Sequence, residues 1–345
     1  MALWDGTSLN TNALASMFNQ MWGMGAIAIA RKDNGLLYAI TGKNWTDNVP
    51  NKDGKLKMMQ KISGNKIELR LLGKLATPGT MANTSAELAT ATLNYDASNY
   101  ASVQFDLTHY AEVFALPNSE FNRIKGSEAK TKSYVADEFQ RILLSYENAW
   151  GNMINGSHSD GFSPSKLGNW RHFASDGVSA GETAYATYGL DRSQSGNADF
   201  RGVVTANAGS LGFSKIKLLK NSIRANGGKT KLLVAGTPIY TTFETMVEGY
   251  AHVLYDEKWS KFGGSYVAYS NMVGIQDHRA PAGVMGFLDP ETLGFWMDSD
   301  GIFDPQATFV RDITRPAARV APTEAWVGLF CNKPNSNGLM TGITG

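Results

Sequence analysis

Between Ser119 and Asn155 one apolar stripe recurs with helical spacing: Val135, Phe139, Ile142, Leu143, Tyr146, Trp150, Met153 and Ile154 follow one another at short, mostly three- and four-residue steps. Such steps place side chains on one face of a helix. The cleanest part, 133–155, predicts a rod of about 34 Å at the rise of an α-helix. Leu116-Pro117 ends the preceding strand pattern. Asn118 or Ser119 can cap the helix start, and Glu120 suits the positive end of its dipole. Gly126 is a point where the helix can kink or break. Asn155-Gly156 is a stop signal.

Ahead of this helix lies a basic segment, Gly42 to Lys74. Lys43, Lys52, Lys55, Lys57, Lys61, Lys66, Arg70 and Lys74 outnumber Asp47, Asp53 and Glu68. Ile67, Leu69 and Leu71 alternate with Glu68 and Arg70, the period of a half-exposed strand. Ser63-Gly64-Asn65 reads as a turn, and Ala101 to Leu107 alternates as a return strand. Two readings are open. The lysines guard a solvated sheet edge, or the segment is an arm lying on an acidic neighbour. Taken alone, the segment favours the first.

At 345 residues the chain is long enough for one large or two modest domains. A net charge of +1 gives no global pull towards nucleic acid or an anionic membrane. One cysteine, Cys331, excludes an intrachain disulfide framework and a multi-cysteine zinc site. Its strand-like setting, Val327 to Cys331, predicts a small buried thiol. The start, Met1-Ala2-Leu3-Trp4-Asp5, lacks a basic n-region and an apolar h-region, so no signal peptide is expected. No apolar run reaches the roughly 20 residues of a membrane span. A soluble protein of a reducing compartment is the expectation.

Residues 1–40 read as an arm with a short helix and two short strands. Residues 156–209 are irregular and rich in glycine, serine and asparagine, yet Trp170, Phe173, Tyr185, Tyr188 and Phe200 argue for order. Ser210 to Asn226 reads as a helix with Phe213, Ile216, Leu219 and Ile223 inward. Lys231 to Ala235 is a buried strand, and Thr237-Pro238 opens a helix to Val247. Helix, apolar strand, helix is an α/β unit. Strands are expected at Tyr266–Ser270, Gly283–Phe287, Gly294–Met297, Thr308–Ile313 and Ala325–Lys333, ahead of a glycine-rich tail.

The motifs of catalysis fail one by one. Gly23-Met24-Gly25-Ala26-Ile27-Ala28 fits a loose dinucleotide pattern, but the strand and helix that pattern needs are in the wrong order. Gly227-Gly228-Lys229-Thr230 ends like a phosphate loop but has Ile223 where its first glycine belongs, so it reads as a helix stop. His109, His158, His172, His252 and His278 show no metal-ligand spacing. Asp277-His278 has no nucleophile elbow to serve. Asp289, Glu291, Asp298, Asp300 and Asp304 form an acidic stretch. Paired carboxylates there could hydrolyse a glycoside beside Phe295 and Trp296, but turn acids on a solvated surface explain them more simply. A contact with the basic arm is a further option. No basic stripe with interleaved aromatics marks a nucleic-acid interface.

The order of elements resembles the major capsid proteins of tailed bacteriophages, the HK-ninety-seven-like fold that encapsulin shells share. The resemblance rests on an N-terminal arm, a projecting two-stranded loop over Gly42 to Val103, and a spine helix ending in Trp150-Gly151-Asn152-Met153-Ile154-Asn155-Gly156. Gly189-Leu190-Asp191-Arg192-Ser193 and Phe200-Arg201-Gly202-Val203-Val204 follow. Then come the helix Leu211 to Ala225, the strand and helix Leu232 to Val247, Asp256-Glu257-Lys258-Trp259, and Val267-Ala268-Tyr269-Ser270.

That resemblance implies an α+β capsid fold: an N-terminal arm (1–40), an extended β-hairpin loop (41–103), a peripheral domain with the spine helix (104–205 and 306–345), and an axial α/β domain (206–305). It implies a structural subunit, not an enzyme and without a cofactor. Such a subunit self-assembles into hexamers and pentamers of an icosahedral shell around double-stranded DNA, in the virion, after assembly in the host cytoplasm. Its partners are then itself, portal, scaffolding and decoration proteins, and packaged DNA by weak non-specific contact, with no membrane. The charge imbalance of the arm suggests assembly contacts between Lys55, Lys57, Lys61 and Lys66 of one copy and Asp137, Glu138 or Glu147 of the next. The alternatives are an encapsulin-like cargo shell, a minor structural protein of the phage such as a tail component, and, in another class, a carbohydrate-active hydrolase using Asp298, Asp300 or Asp304.

Overall fold

The computed structural model describes residues 36, 39–40, 59–63, 66–73, 100–124, 127–155, 169–179, 190–248, 267–297, 310–311 and 318–344. Strands β1 (Met59–Ser63), β2 (Lys66–Leu72), β3 (Tyr100–Asp106) and β4 (Thr108–Pro117) come first. Helices α1 (Asn118–Ile124), α2 (Glu128–Asn155) and α3 (Trp170–Ala174) follow. Next are β5 (Val203–Thr205), β6 (Gly209–Ser210), α4 (Phe213–Ala225), β7 (Leu232–Ala235) and α5 (Thr237–Glu248). Strands β8 (Ala268–Tyr269), β9 (Met272–Gln276), β10 (Met285–Leu288), β11 (Leu293–Met297), β12 (Val310–Arg311), β13 (Ala318–Cys331), β14 (Gly338–Met340) and β15 (Ile343–Thr344) complete the described elements.

These elements fall into two compact units. The first draws on Met1–Val49, Leu107–Ile154 and Phe295–Leu329; the second draws on Pro50–Asp106, Asn155–Gly294 and Phe330–Gly345.

In the first unit, β13 pairs antiparallel with β4 from Pro117↔Ala318 to Thr108↔Val327, and with β12 through Val310↔Val320. Alternation along β4 turns Tyr110, Glu112, Phe114 and Leu116 to one face and His109, Ala111 and Val113 to the other. On the second face, His109 stacks on Trp326 with ring centroids 4.3 Å apart. The expected single helix from Ser119 is two helices. The chain leaves helical geometry at Ser127, beside Gly126, and Ser127 Oγ accepts from Lys130 N (3.4 Å) at the start of α2. The hydroxyl supplies the cap that a fresh helix start requires. The 28 residues of α2 span about 42 Å. Val135, Ile142, Tyr146, Trp150 and Ile154 are all buried, as their spacing predicts.

In the second unit, β1, β2 and β3 form a three-stranded antiparallel sheet, not the two-stranded loop expected. The connection between β1 and β2 is short, with Ser63 paired to Lys66. Strand β2 then pairs along its whole length with β3, from Lys66↔Asp106 to Leu72↔Tyr100. Ile67, Leu69 and Leu71 are fully buried, whereas Arg70 is exposed and lies 5.1 Å from the Tyr100 ring. The face therefore belongs to a packed sheet, which a lone solvated hairpin would not provide.

The centre of this unit is a six-stranded sheet of order β5-β14-β10-β7-β9-β8. Strands β7 and β9 are parallel, and α4, β7 and α5 follow one another as the expected α/β unit. Two corrections concern its membership. Met272–Gln276, not anticipated as a strand, pairs with β7, and the glycine-rich tail forms β14, which pairs with both β10 and β5. Leu233 and Ala235 of β7 share one buried cluster with Ile216, Leu219 and Ile223 of α4 and with Ile239, Tyr240, Phe243 and Val247 of α5. Helices α4 and α5 thus cover the same sheet face. Helix α4 contacts β5 and β14, and α5 contacts β9. Gly274 of β9, level with Leu233, has room for α5 only because it lacks a side chain: a Cβ there would lie 3.0 Å from the Tyr240 ring.

Candidate assembly surfaces

The expected contact lysines are only partly described. Lys55 and Lys57 lie outside the described residues. Lys61 sits in β1 and Lys66 in β2, at backbone level. Of the acids, Glu147 is placed in α2, Asp137 is exposed there, and Glu138 is half-buried. Asp298, Asp300 and Asp304 also lie outside the described residues, as do the 23–28 glycine motif and Asp256-Glu257-Lys258-Trp259.

Glu138 already has a cation. Arg141 Nε donates to it at 2.9 Å, Arg141 Nη1 reaches Glu112 at 3.4 Å, and Nη2 donates to the Val113 carbonyl at 2.9 Å. Ser145 Oγ donates to Glu112 (2.7 Å) and lies 2.8 Å from the Tyr110 hydroxyl, and the Tyr134 hydroxyl donates to the Ala115 carbonyl (2.9 Å). Burial opposes ionisation of Glu112, but the donors Ser145, Val113 N and Arg141 outweigh it and hold its carboxyl below the usual range. Beneath these bonds run edge-to-face contacts, Tyr110 with Tyr146 and Tyr146 with Trp150. The seam between α2 and β4 is thus a polar zipper over an aromatic ladder, and its charges are paired within the chain.

Buried polar groups in the second unit are also consumed internally. Trp170 Nε1 donates to Asn155 Oδ1 (2.9 Å), and Asn155 Nδ2 donates to Asp277 Oδ2 (2.7 Å). Arg279 N donates to the other Asp277 oxygen (3.0 Å). The Asp277 carboxylate is thereby part of a structural network with Asn155 and Trp170. The Trp170 ring fits because Gly286 leaves space; a Cβ there would come within 2.6 Å of it.

Arg192 is a buried cation at the C-terminus of α3. Its guanidinium donates to the carbonyls of His172 (2.6 Å) and Ser175, which sit at the negative end of that short helix. Arg201 in turn donates to the carbonyls of Arg192 (2.6 Å) and Ser193 (2.8 Å). Both arginines lie in the segments quoted for the capsid resemblance, and both act by tying loops together.

Asp289 corrects the expectation of solvated turn acids. It is buried, and burial pushes its carboxyl up, although Lys229 N (3.1 Å) and Glu291 N (3.1 Å) donate to it. Glu291 is the exposed acid of the pair and bonds Lys231. Cys331 is fully buried, as expected, with its thiol pushed up to about 12 by that burial. Gly227-Gly228 ends α4: Gly227 takes φ +80, and Gly228 N donates to the Ile223 carbonyl (3.1 Å).

The outward faces of α4 and α5 differ from all of this. Helix α4 carries Lys215, Lys217, Lys220 and Arg224 and no acid; α5 carries Glu244 and Glu248 and no base. Lys215 donates to the Ala208 (2.5 Å) and Ser210 (2.7 Å) carbonyls, and Lys220 bonds Ser270. Lys217 and Arg224, seven residues apart and both exposed, share one stripe of α4, and beside that stripe stands Leu218, which at 67% is the most exposed large apolar side chain among the described residues. Such a sorted surface was not read from the sequence, though the one-sign composition of each helix was available there.

Among the described residues no group of three or more His, Cys, Asp or Glu side chains could hold a metal ion, and no helix is long and apolar enough to cross a membrane.

No protein-family model matches the sequence, and no curated protein matches it at a significant level. Solved structures do. The capsid asymmetric unit of cyanophage A-1(L) is similar with a TM-score of 0.53 at 14% identity, covering 81% of this chain and 88% of that one. The capsid of an empty GTA particle gives 0.49 at 13% identity, covering 83% and 87%. The SrpI encapsulin complex of Synechococcus elongatus PCC 7942 gives 0.48 at 10% identity, covering 88% and 90%. At 14% identity the first of these similarities shows the fold alone: the chain has the mixed helix and sheet fold of HK-ninety-seven-like capsid subunits.

Proposed function

We propose that this chain is a major capsid protein, the subunit of an icosahedral phage shell. The carrying observation is the similarity over 81% of the chain to a cyanophage capsid subunit, with most of that subunit also covered. An accretion of short shared motifs would not span both chains in this way. The reading is supported by polar groups that are spent on rigidity: Arg192, Asp277 and Glu112 each hold parts of the chain together.

In this reading α2, β4 and β13 are the peripheral spine, within 104–205 and 306–345. The helix layer of 206–305 meets its copies around the symmetry axes. Strands β5 and β14 fall within the peripheral numbers but complete the six-stranded sheet, and go with the axial part. The subunit makes hexamers and pentamers, resides in the virion, and touches packaged double-stranded DNA weakly and without sequence preference. Portal, scaffolding and decoration proteins are its expected companions. Lysines of the basic segment, Lys55, Lys57, Lys61 and Lys66, meet acids of an adjacent copy, with Asp137 better placed than Glu138, which is held by Arg141.

Each contact can be modest, because a subunit held by several neighbours gains by multivalency. The test is expression of the chain followed by size-exclusion chromatography and negative-stain imaging. Closed particles carrying DNA support the reading. A stable monomer contradicts it, and particles that enclose a protein cargo move it to a cargo shell.

A further inference from the structure

Helices α4 and α5 lie in one layer on one face of the six-stranded sheet, over different halves of it. Their outward surfaces are complementary. On α4, Leu218 is exposed beside the stripe of Lys217 and Arg224, whose side chains have no hydrogen bond or ion pair among the described residues. On α5, Thr241, Thr245 and Glu248 are exposed and recur at four- and three-residue steps, so they share one stripe. The threonines are not polar in the usual sense. Thr241 Oγ1 donates to the Thr237 carbonyl (3.0 Å) and Thr245 Oγ1 to the Thr241 carbonyl (3.0 Å). With the hydroxyls turned back onto the helix, the rest of each side chain is hydrocarbon.

We infer that α4 of one subunit docks on α5 of a second copy of this chain. Leu218 packs on the Thr241–Thr245 stripe, and Lys217 and Arg224 face Glu248, with Glu244 adding to the acidic field. Charge selects the partner: a helix with bases and no acid fits one with acids and no base. A second copy supplies both surfaces at once. Different patches on the two partners make the contact heterologous, and a heterologous contact repeats into a ring when the rotation closes. An exposed leucine beside a basic stripe gives such a contact an apolar part and a charged edge.

The inference rests on the shell reading, and one experiment separates the two. Assembly is followed by sedimentation and negative stain for the wild type, K217E/R224E, E248K, the triple variant carrying all three changes, and L218S. Circular dichroism and thermal melting monitor the fold. Wild-type particles, loss of assembly in K217E/R224E and in E248K, and recovery in the triple variant are expected, because every copy of the triple variant carries acids at 217 and 224 of α4 and a base at 248 of α5, the same pairing with its signs exchanged. L218S is expected to lose assembly with an unchanged melt. Wild-type failure to assemble sinks the shell reading itself. Wild-type particles with no defect in either charge variant overturn the α4–α5 contact alone, and so does a defect that the triple variant does not repair.

Discussion

At the seam between α2 and β4, Arg141 stands between Glu112 and Glu138, and Ser145 and Tyr110 fill the remaining bonds. Both signs occur on the same surface, and each charge finds its partner a few ångströms away. On α4 and α5 the signs are separated onto two helices, and Lys217, Arg224 and Glu248 have no ion pair among the described residues. Mixed charge marks a surface that the chain completes by itself. Sorted charge marks a surface that another copy completes. Among apolar groups the difference is one of degree: Tyr146 and Trp150 are buried in the aromatic ladder and Val113 and Leu144 are exposed beside it, whereas Leu218 of α4 is the most exposed among the described residues.

The largest test of this contrast lies inside the second unit. Arg192→Ala removes the donors for the His172 and Ser175 carbonyls and leaves a cavity in a buried site. A loss of about 4 kcal/mol in unfolding free energy is expected, read by chemical denaturation. Assembly should fall only in proportion to the unfolded fraction. An unchanged denaturation midpoint would mean that Arg192 is not a structural cation.

The seam gives an intermediate effect. Arg141→Ala is expected to cost about 1 kcal/mol, because the pair is partly exposed and screened. Glu112 adds a pH dependence whose sign follows from its lowered value. Its contribution is fully present above the unfolded carboxyl range and disappears as pH falls through the depressed folded value. Thermal melts taken down in pH should show the wild type losing more stability than Glu112→Gln. Parallel curves for the two proteins would remove Glu112 from the zipper.

The smallest effect on the fold belongs to the outward faces. Leu218→Ser should change the unfolding free energy by less than about 0.5 kcal/mol, as at other exposed positions. Its consequence should appear in assembly instead. A large drop in stability would show that Leu218 packs within the subunit and would blur the contrast.

The sequence carried the helical stripes well. The buried positions of α2 and α4 follow from periodicity alone, since one face must meet a core. So did the stop at Gly227-Gly228 and the buried Cys331. What it did not carry was non-local. Ile67, Leu69 and Leu71 announce a strand and Ala101 to Leu107 its return partner, but β1 on the other edge of β2 shows no such alternation, and only its pairing makes the sheet three-stranded. Strand β14 is three residues, Gly338, Leu339 and Met340, too short for any period, and only its pairing with β5 and β10 makes it a strand. Asp289 looked like a surface acid because a turn sequence does not report the Asn337 side chain that accepts from its backbone at 2.8 Å. The sorted faces of α4 and α5 were legible as composition. Their meaning required the two helices to be placed on one side of one sheet.

The most direct measurement is particle imaging of the purified full chain by negative-stain electron microscopy, with its sedimentation profile. Closed icosahedral shells that lose integrity in K217E/R224E and regain it in the triple variant with E248K are the predicted result. A homogeneous monomer that forms no shell at any salt concentration would contradict it.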